Sequence, residues 1–357
     1  MVEDKIRKTK RFGPKKPMRP TTKDLAKAAG VSLATIDRVL NGRTGVRQKT
    51  VDAVNEAIVR IGFERNQVAA TLARQKGYRF GFVVPRSGDE FLDVIVKHIS
   101  EFDQASRAEM IQTKIVRIDE HDPHRAAKTL SRLSSDEYDG IAIMAPETPQ
   151  IRDALHRMRE RGIQTVAFIS NQQEEDSQSF VGIDNIAAGA TAGRLMARFL
   201  GQTSGSILVL AETMQSRDSL ERRLGFDQVI SPGYQQFHAL PTLETHGYPD
   251  RTNLVLKNAF AAHKDIVGLY IMGSEARVAI EFARKLHGDG KLITVAHERT
   301  PSTEQALREN TLDALINQDP GHIVRSAVRT LRAKCENRET LASQERIRIE
   351  ILIAENL

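Results

Sequence analysis

The sequence predicts an α/β protein with an all-α N-terminal head and a two-lobed body built on parallel sheets. Three observations support this prediction. Residues 21–62 hold three helical segments separated by capping residues and glycines. From Tyr78 onward, short apolar runs alternate with helical stretches, which is typical of βα units in parallel sheets. The roughly 280 residues of this region are too many for one such sheet, so two lobes are expected.

The distribution of charge divides the chain at the same place. The 357 residues contain 52 Lys and Arg and 46 Asp and Glu, a net charge of +6. Residues 1–76 hold 18 basic and 7 acidic residues, a net charge of +11, so the remainder is mildly acidic at −5. A basic head on an acidic body indicates a polyanionic partner, although a solvated charged tail would have the same composition.

Composition and motifs exclude several protein classes. No apolar run of ~18 residues could span a membrane. The basic N-terminus lacks the apolar stretch of a secretory signal, and the lone Cys335 cannot form an intrachain disulfide, so we expect a cytoplasmic protein. No GxxxxGK[ST] loop or GxSxG elbow occurs. Neither an enzyme nor a metal or other cofactor is expected, and the His121-Asp122-Pro123-His124 tetrapeptide is interpreted as a solvent-facing loop.

The head is predicted to contain a helix-turn-helix. Residues 1–20 are basic and proline-rich, and we interpret them as a disordered arm that either touches DNA or is inert. Thr22 is expected to cap a helix from Lys23 to Ala29 that ends at Gly30. Ser32 is expected to cap a second helix, Leu33 to Leu40, which Asn41-Gly42 stops. A third helix is predicted from Gln48 to Ile61, closed by Gly62.

This head resembles that of the LacI/GalR family of transcription regulators. The residues that carry the resemblance are Thr22-Lys23-Asp24-Leu25-Ala26, Ala29-Gly30-Val31-Ser32, residues 35–42, Gly62-Phe63 and residues 66–73. The resemblance implies a DNA-binding head at 21–65, a hinge helix and linker at 66–76 and an effector domain at 77–357. Residues 66–73 correspond to the hinge helix, which orders on operator DNA and enters the minor groove. It also implies a homodimer that reads a near-palindromic operator.

The resemblance assigns DNA contacts by position. Leu33, Ala34 and Arg38 correspond to base-reading positions, and an arginine can grip guanine through two hydrogen bonds. Leu72 corresponds to a wedge that opens the central base step. The full set of expected DNA-binding residues is Thr22, Ser32, Leu33, Ala34, Thr35, Asp37, Arg38, Asn41, Asn66, Val68, Ala69 and Leu72. Asp37 departs from the family's usual serine, so an operator sequence cannot be transferred.

The body is predicted to place its ligand between two lobes. Buried strands are expected at Phe80–Val84, Ile141–Met144, Val166–Ile169, Ile207–Leu210, Val267–Met272 and Leu292–Val295, and a last strand in the alternating tail 347–353. The body resembles the periplasmic sugar-binding-protein fold over its full length. We expect lobe 1 at about 77–200 and 297–318, and lobe 2 at about 201–296 and 319–357.

Polar side chains after these strand ends are candidate ligand contacts, because ligands of open α/β sheets bind beyond the carboxyl ends of strands. The set is Arg86, Asp89, Phe91, Ser170, Asn171, Asp184, Arg222, Ser274, Glu275, His297, Glu298 and Gln318. Three of these have a second interpretation: Phe91 as part of the apolar stripe of its helix, Asp184 as a helix cap, and Arg222 as a salt-bridge partner.

Together these features predict a sequence-specific DNA-binding regulator, acting as a repressor, that a small sugar or polyol controls. Two alternatives are a regulator that answers to a partner protein or to no ligand, and a transport solute-binding protein. The body alone permits the transport protein, but the basic head argues against it.

Overall fold

The computed structural model describes residues 20–40, 45–63, 77–86, 88–172, 180–286 and 292–357. The chain separates into two compact units, Met1–Lys76 and Gly77–Leu357. No helix in the described ranges is long and apolar enough to cross a membrane.

The first unit contains three short helices, α1 (Thr22–Ala29), α2 (Leu33–Leu40) and α3 (Gln48–Ile61). They share a small apolar core formed by Leu25, Ala26, Ile36, Val54, Ala57 and Phe63. Gly30 and Gly62 end α1 and α3 in the left-handed region, with φ of 66° and 59°. Both endings were predicted, because glycine adopts a positive φ without steric cost.

The first helix begins one residue earlier than the sequence predicts. Thr21, and not Thr22, is the N-cap: its backbone is extended and its hydroxyl accepts a hydrogen bond from Asp24 N at 3.3 Å. The Asp24 carboxylate in turn accepts from Thr21 N at 2.8 Å, which completes a capping box. Two adjacent threonines offer the same cap chemistry, and the acidic residue three positions after Thr21 selects it. The predicted cap at Ser32 is confirmed by its 3.1 Å bond from Thr35 N.

The second unit begins with a five-stranded parallel sheet in the order β2-β1-β3-β4-β5. Its elements are β1 (Tyr78–Pro85), α4 (Glu90–Ala105), β2 (Ile111–Ile118), α5 (Pro123–Ser131), β3 (Gly140–Ile143), α6 (Pro149–Glu160), β4 (Gln164–Phe168) and β5 (Phe180–Val181). β1 and β3 are buried along most of their length because helices cover the sheet, whereas the edge strand β2 is only partly buried.

A seven-stranded sheet follows, in the order β12-β11-β10-β9-β6-β7 with β8 beside β6. Its pairs are parallel except for β12, which runs antiparallel to β11. The elements are α7 (Asn185–Leu200), β6 (Gly205–Ala211), α8 (Arg217–Gly233), β7 (Phe237–Ala239), β8 (Leu243–Glu244), α9 (Pro249–Ala262), β9 (Ile266–Ile271), α10 (Arg277–Leu286), β10 (Ile293–His297), α11 (Pro301–Arg308), β11 (Ala314–Asn317), α12 (Pro320–Cys335), α13 (Ala342–Glu345) and β12 (Glu350–Leu352).

The lobes are not divided where the sequence predicts. Helix α7 packs on the second sheet, and β11 pairs with β10 in that sheet, so residues 184–200 and 297–317 belong to the second lobe. Helix α12 packs instead on β3, β4 and α4 of the first lobe. The predicted boundaries are therefore wrong in these three segments. The wrong boundaries have a physical reason. Where the chain crosses between the two sheets, a parallel strand and the helix that follows it need not lie in the same lobe.

Close helix packing in the second lobe depends on two glycines. A Cβ at Gly189 of α7 would lie 1.9 Å from Arg222 O of α8, and one at Gly225 of α8 would lie 1.9 Å from Ile186 O. Each glycine therefore lets the facing backbone approach, and the helices pack along much of their length. Gly233, at the end of α8, has no atom within 4 Å of such a Cβ.

We expect Gly189→Ala to destabilise the second unit, because the helices must separate to admit the methyl group. Overpacking of this kind costs about 1–3 kcal/mol, which lowers the midpoint of thermal unfolding by several degrees. Gly233→Ala is the matched control and should be neutral or slightly stabilising, since alanine favours a helix and the space is open. Equal midpoints for the two variants would contradict the close approach.

Candidate functional site

One face of α2 presents the residues that were predicted to read DNA. Ile36 is buried in the head's core, whereas Leu33, Ala34, Asp37 and Arg38 are exposed. The side chains of a helix alternate between faces with a period of 3.6 residues, so burial of Ile36 directs these four outward. Their exposed positions are suitable for contacting base edges in the major groove.

The remaining predicted DNA contacts divide into two groups. Thr22 and Ser32 are exposed near the starts of α1 and α2, and Thr35 lies beside Ser32 with its Oγ1 at 2.9 Å from the Ser32 Oγ. Asn41, Asn66, Val68, Ala69 and Leu72 lie outside the described residues, so their roles stay predictions.

The second unit contains a cleft between its two lobes, with a cavity of about 150 Å³. The first lobe contributes mainly apolar side chains to its wall, and the second lobe contributes mainly polar ones. Its lining includes Pro85, Phe91, Glu120, Met144, Ala145, Pro146, Ile169, Ser170, Glu212, Thr213, Ser216, Asp218, Ser219, Arg222, Gly273, Ser274 and Glu298. The cavity lies at strand ends, as the rule for open α/β sheets predicts.

Arg222 lies at the base of the cleft and is held from three sides. Its Nη2 donates to Glu298 Oε1 at 2.8 Å, its Nε to Asn185 Oδ1 at 2.9 Å and its Nη1 to Met272 O at 2.7 Å. The residue is 3% exposed. Burial opposes its charge, yet the carboxylates of Glu298 and Asp218 keep the pKa of Arg222 above its usual value. The Arg222 guanidinium therefore remains charged inside the protein.

Glu298 is the partner that orients this arginine. Its Oε1 accepts from Arg222 and also from Gln318 Nε2 at 2.9 Å, whereas its Oε2 has no hydrogen-bond partner among the described residues. Burial raises the pKa of the Glu298 carboxyl, and Arg222 and Gln318 offset part of that rise. Glu298, a lining residue of the cavity, thus has one buried acceptor without a donor.

A carboxyl pair bridges the lobes at the rim of the cleft. The Ser274 hydroxyl of the second lobe contacts Asp89 Oδ2 of the first lobe and lies 3.2 Å from Glu212 Oε1. Glu212 Oε1 also accepts from Glu275 N at 2.8 Å. Burial, reinforced by the charge of Asp89, raises the pKa of Glu212 to about 7. The Ser274 hydroxyl has one proton and can donate to only one of the two carboxylates, Asp89 or Glu212. Protonation of Glu212 removes the need for a second donor.

Three further contacts join the lobes around the same cleft. The Ser170 hydroxyl donates to Asp218 Oδ1 at 3.0 Å, and Ser302 Oγ donates to Glu90 Oε1 at 2.7 Å. Arg217 Nη1 lies 3.5 Å from Glu147 Oε2. Polar side chains of both lobes therefore meet directly at the mouth of the site.

Several predicted ligand residues do not line the cavity. Arg86 is exposed and Asn171 lies outside the lining. Asp184 caps α7 by accepting from Ala187 N at 2.9 Å, as its alternative interpretation held. His297 is fully buried in the second lobe, where its Nε2 lies 2.8 Å from the Tyr270 hydroxyl. Burial holds the pKa of His297 well below its usual range, so the ring is neutral.

The other predicted residues lie on the cavity or one contact away. Phe91, Ser170, Arg222, Ser274 and Glu298 line it. Phe91 also packs in the core, which confirms its place in the apolar stripe of its helix, and its contact with a ligand stays a prediction. Three more predicted residues each contact a lining residue: Asp89 contacts Ser274, Glu275 N donates to Glu212, and Gln318 donates to Glu298.

The sequence reasoning missed three acidic residues of the wall, Glu120, Glu212 and Asp218, and the buried Asn185. Glu212 follows β6 directly, so the strand-end rule that found Ser170 would have found it. Asn185 opens α7 next to the predicted Asp184, but only the packing of α7 on α8 places it against Arg222. No local pattern marks Asp218, which lies in the first turn of α8.

We expect Glu212→Gln to stabilise the protein increasingly as the pH rises. An acid whose folded pKa exceeds its unfolded value of 4.5 binds more protons when folded, so its contribution to stability falls between pH 4.5 and about 7. The glutamine variant avoids this loss, which is on the order of 1–3 kcal/mol. Its midpoint of thermal unfolding should exceed that of the unmodified protein by several degrees at pH 8.5 and by little at pH 5.

Glu281→Gln, at an exposed position of α10, is the control and should show no such trend. A difference in midpoint that stays constant from pH 5 to pH 8.5 would contradict the burial of an ionisable Glu212.

Two family models match the chain. The model of the periplasmic binding protein domain matches residues 80–339, and that of bacterial regulatory proteins of the lacI family matches residues 21–66. The second match covers the three helices of the head and ends at the start of the predicted hinge.

Curated relatives carry the name catabolite control protein A. The protein from Streptococcus mutans is 30% identical over 181 residues, which are 50% of this chain and 51% of the relative. The protein from Staphylococcus xylosus is 26% identical over 168 residues, 47% of this chain and 49% of the relative. The matched part thus spans about half the length of these relatives.

Solved structures share the fold of the second unit. A solute-binding protein from Burkholderia graminis in complex with D-arabinose has a TM-score of 0.70 at 19% identity, covering 79% of this chain and 96% of that one. A protein from Bacteroides fragilis that is assigned as a LacI transcriptional regulator has a TM-score of 0.68 at 20% identity. The match covers 79% of this chain and 98% of that one. The chain therefore belongs to the periplasmic binding protein domain family and carries a DNA-binding head of the lacI family.

Proposed function

We propose that this chain is a sequence-specific DNA-binding transcription regulator, acting as a repressor, whose operator affinity is controlled by a small sugar or polyol in the cleft. One observation carries the proposal: a lacI-family head with an exposed recognition face on α2 is joined in one chain to a periplasmic binding protein domain with an inter-lobe cavity. A solute-binding protein for transport needs no such head. A regulator that binds the chromosome acts in the cytoplasm.

We infer that two chains act together, because paired heads read the two half-sites of a near-palindromic operator. Ligand binding would favour one arrangement of the lobes and so change the spacing of the two 66–73 segments on DNA. Such coupling between sites is typically worth ~1–3 kcal/mol, a 5–150-fold change in affinity. Relief of repression and corepression would use the same cleft, hinge segments and head. Whether the ligand lowers or raises operator affinity is an outcome of the measurement.

Arg38 is the principal polar reader in this proposal, since Leu33 and Ala34 have no side-chain donor. We expect Arg38→Ala to weaken binding to the preferred operator by about 5–150-fold and binding to random DNA much less. The operator is first selected from genomic fragments, and both affinities are then measured at one physiological salt concentration.

Lys27→Ala is the matched control, because Lys27 is an exposed cation on α1, away from the recognition face. If Lys27 lies near a phosphate, Lys27→Ala should lower the affinities for operator and random DNA by similar factors. Otherwise it should change neither affinity. Equal losses on operator and random DNA for Arg38→Ala would overturn its assigned role. A protein that prefers no genomic fragment to scrambled DNA would overturn the proposed function itself.

A compound that occupies the cleft should raise the midpoint of thermal unfolding, because it binds only the folded state. At a concentration of 100 times Kd the gain is about 2.7 kcal/mol, which corresponds to several degrees. The same compound should change operator affinity in a mobility-shift titration. Binding without any effect on the operator would contradict control by the cleft.

A further inference from the structure

The cavity in the cleft has an excess of negative charge. Its titratable lining residues are four acids and one base: Glu120, Glu212, Asp218, Glu298 and Arg222, and three of the acids stay available as carboxylates when Glu212 is protonated. Asp89 adds a further carboxylate at the rim through Ser274. The charge of Arg222 is already matched by Glu298 at 2.8 Å. Arg222 is the only base that lines the cavity within the described part of the chain, so Asp218 has no second cation among the lining residues.

The wall of the cavity also offers more free hydrogen-bond acceptors than free donors. The guanidinium of Arg222 donates to Asn185, Met272 O and Glu298. The hydroxyls follow the same pattern: Ser170 donates to Asp218, Ser274 lies between Asp89 and Glu212, and Ser216 pairs with Ser219 at 2.9 Å. A neutral sugar needs donors for its own oxygen atoms, and these hydroxyls and three of the five N–H groups of Arg222 are engaged within the protein.

One acceptor in this wall is unused. Glu298 is 2% exposed, and its Oε2 has no hydrogen-bond partner in the described ranges. A buried carboxylate oxygen without a donor is costly, so the position favours a ligand that donates. Burial raises the pKa of both Glu212 and Glu298, and the nearby charge of Asp218 adds to the rise in each.

The opposite wall limits the kind of cation. Phe91, Met144 and Pro146 of the first lobe are apolar and suit the C–H face of an organic molecule. Within the part of the chain that the structure describes, no group of three His, Cys, Asp or Glu side chains could hold a metal ion. An organic cation therefore fits both walls better than a metal does.

We propose that the effector of this cleft is a small polyhydroxylated amine, an amino sugar or amino alditol, whose protonated nitrogen lies against the carboxylates of Asp218 and Glu298. An ammonium group donates three hydrogen bonds and accepts none, which matches a wall rich in acceptors. Its carbon skeleton packs against Phe91 and the neighbouring apolar residues. The inference rests on the proposed function, because it specifies the ligand of the same regulatory site.

Matched pairs of compounds test the charge directly on the unmodified full-length protein. The probes are D-glucosamine with D-glucose, D-galactosamine with D-galactose, and D-glucamine with D-sorbitol, and N-acetyl-D-glucosamine serves as the uncharged derivative. Thermal unfolding identifies binders and isothermal titration gives their Kd at pH 7.5. We expect the amine of at least one pair to bind at least tenfold more tightly than its neutral partner, with the N-acetyl derivative resembling the neutral sugar.

Asp218→Asn separates a specific contact from general attraction. The variant should weaken the amine at least tenfold and the neutral partner less than threefold. Asp153→Asn removes one charge from an exposed position of α6 and should leave both affinities unchanged.

Other outcomes overturn the inference. A neutral sugar that binds as tightly as its amine would exclude the ammonium contact while leaving sugar control of the regulator intact. If no amine of the panel binds, the inference also fails. If neutral compounds fail as well while operator DNA is still bound specifically, the sugar-effector part of the proposed function loses its support.

Discussion

The buried pair of Arg222 and Glu298 organises the cleft. Arg222 connects the start of α7 through Asn185, the end of β9 through Met272 O and the end of β10 through Glu298. Gln318, where the chain crosses between the lobes, completes the set through Glu298 Oε1. Removing one partner of such a pair leaves an uncompensated charge, at a cost of about 3–5 kcal/mol. The positions of four chain segments around the cavity therefore depend on this pair.

The pair can form only because the helices that frame it come close together. Gly189 faces the carbonyl of Arg222 itself, so the backbone that carries the guanidinium lies against α7. Asn185 is then one turn away from Gly189 on the same helix and reaches Arg222 Nε. Glu298 approaches from β10 with a φ of 67°, an uncommon conformation for a residue other than glycine. Packing at two glycines thus sets the electrostatics of the site.

Local patterns in the sequence predicted the head and the buried central strands, but not the assembly of the lobes. The three head helices and their glycine ends follow from caps and periodicity, and β1, β3, β4, β6, β9 and β10 were found as apolar runs. The edge strand β2 alternates irregularly, and β7 and β8 are only two or three residues long, so they lack a pattern. Which sheet receives α7, β11 or α12 is decided by contacts between distant segments, which no local pattern encodes.

The same limit explains which site residues were predicted. Ser170, Arg222, Ser274 and Glu298 were found because they follow strand ends or match a family motif. Asp218 was missed because its role arises only when the lobes meet and Ser170 donates to it across the cleft. Predicting the lobes and predicting the site are therefore one problem. If the wrong segments are predicted to face each other, the wrong set of charges is predicted to share the cavity.

The carboxylates that would receive a ligand also join the lobes. Asp218 accepts from Ser170 of the first lobe, and Asp89 meets Ser274 of the second. A ligand that donates to Asp218 competes with the Ser170 hydroxyl, and one that alters the charge near Glu212 changes how the Ser274 proton is shared. Binding therefore exchanges contacts between lobes for contacts to ligand. A ligand shifts the arrangement of lobes only by its difference in affinity for the two arrangements, and this exchange supplies such a difference. The acidic wall would thus connect the chemistry of such a ligand to the position of the first lobe.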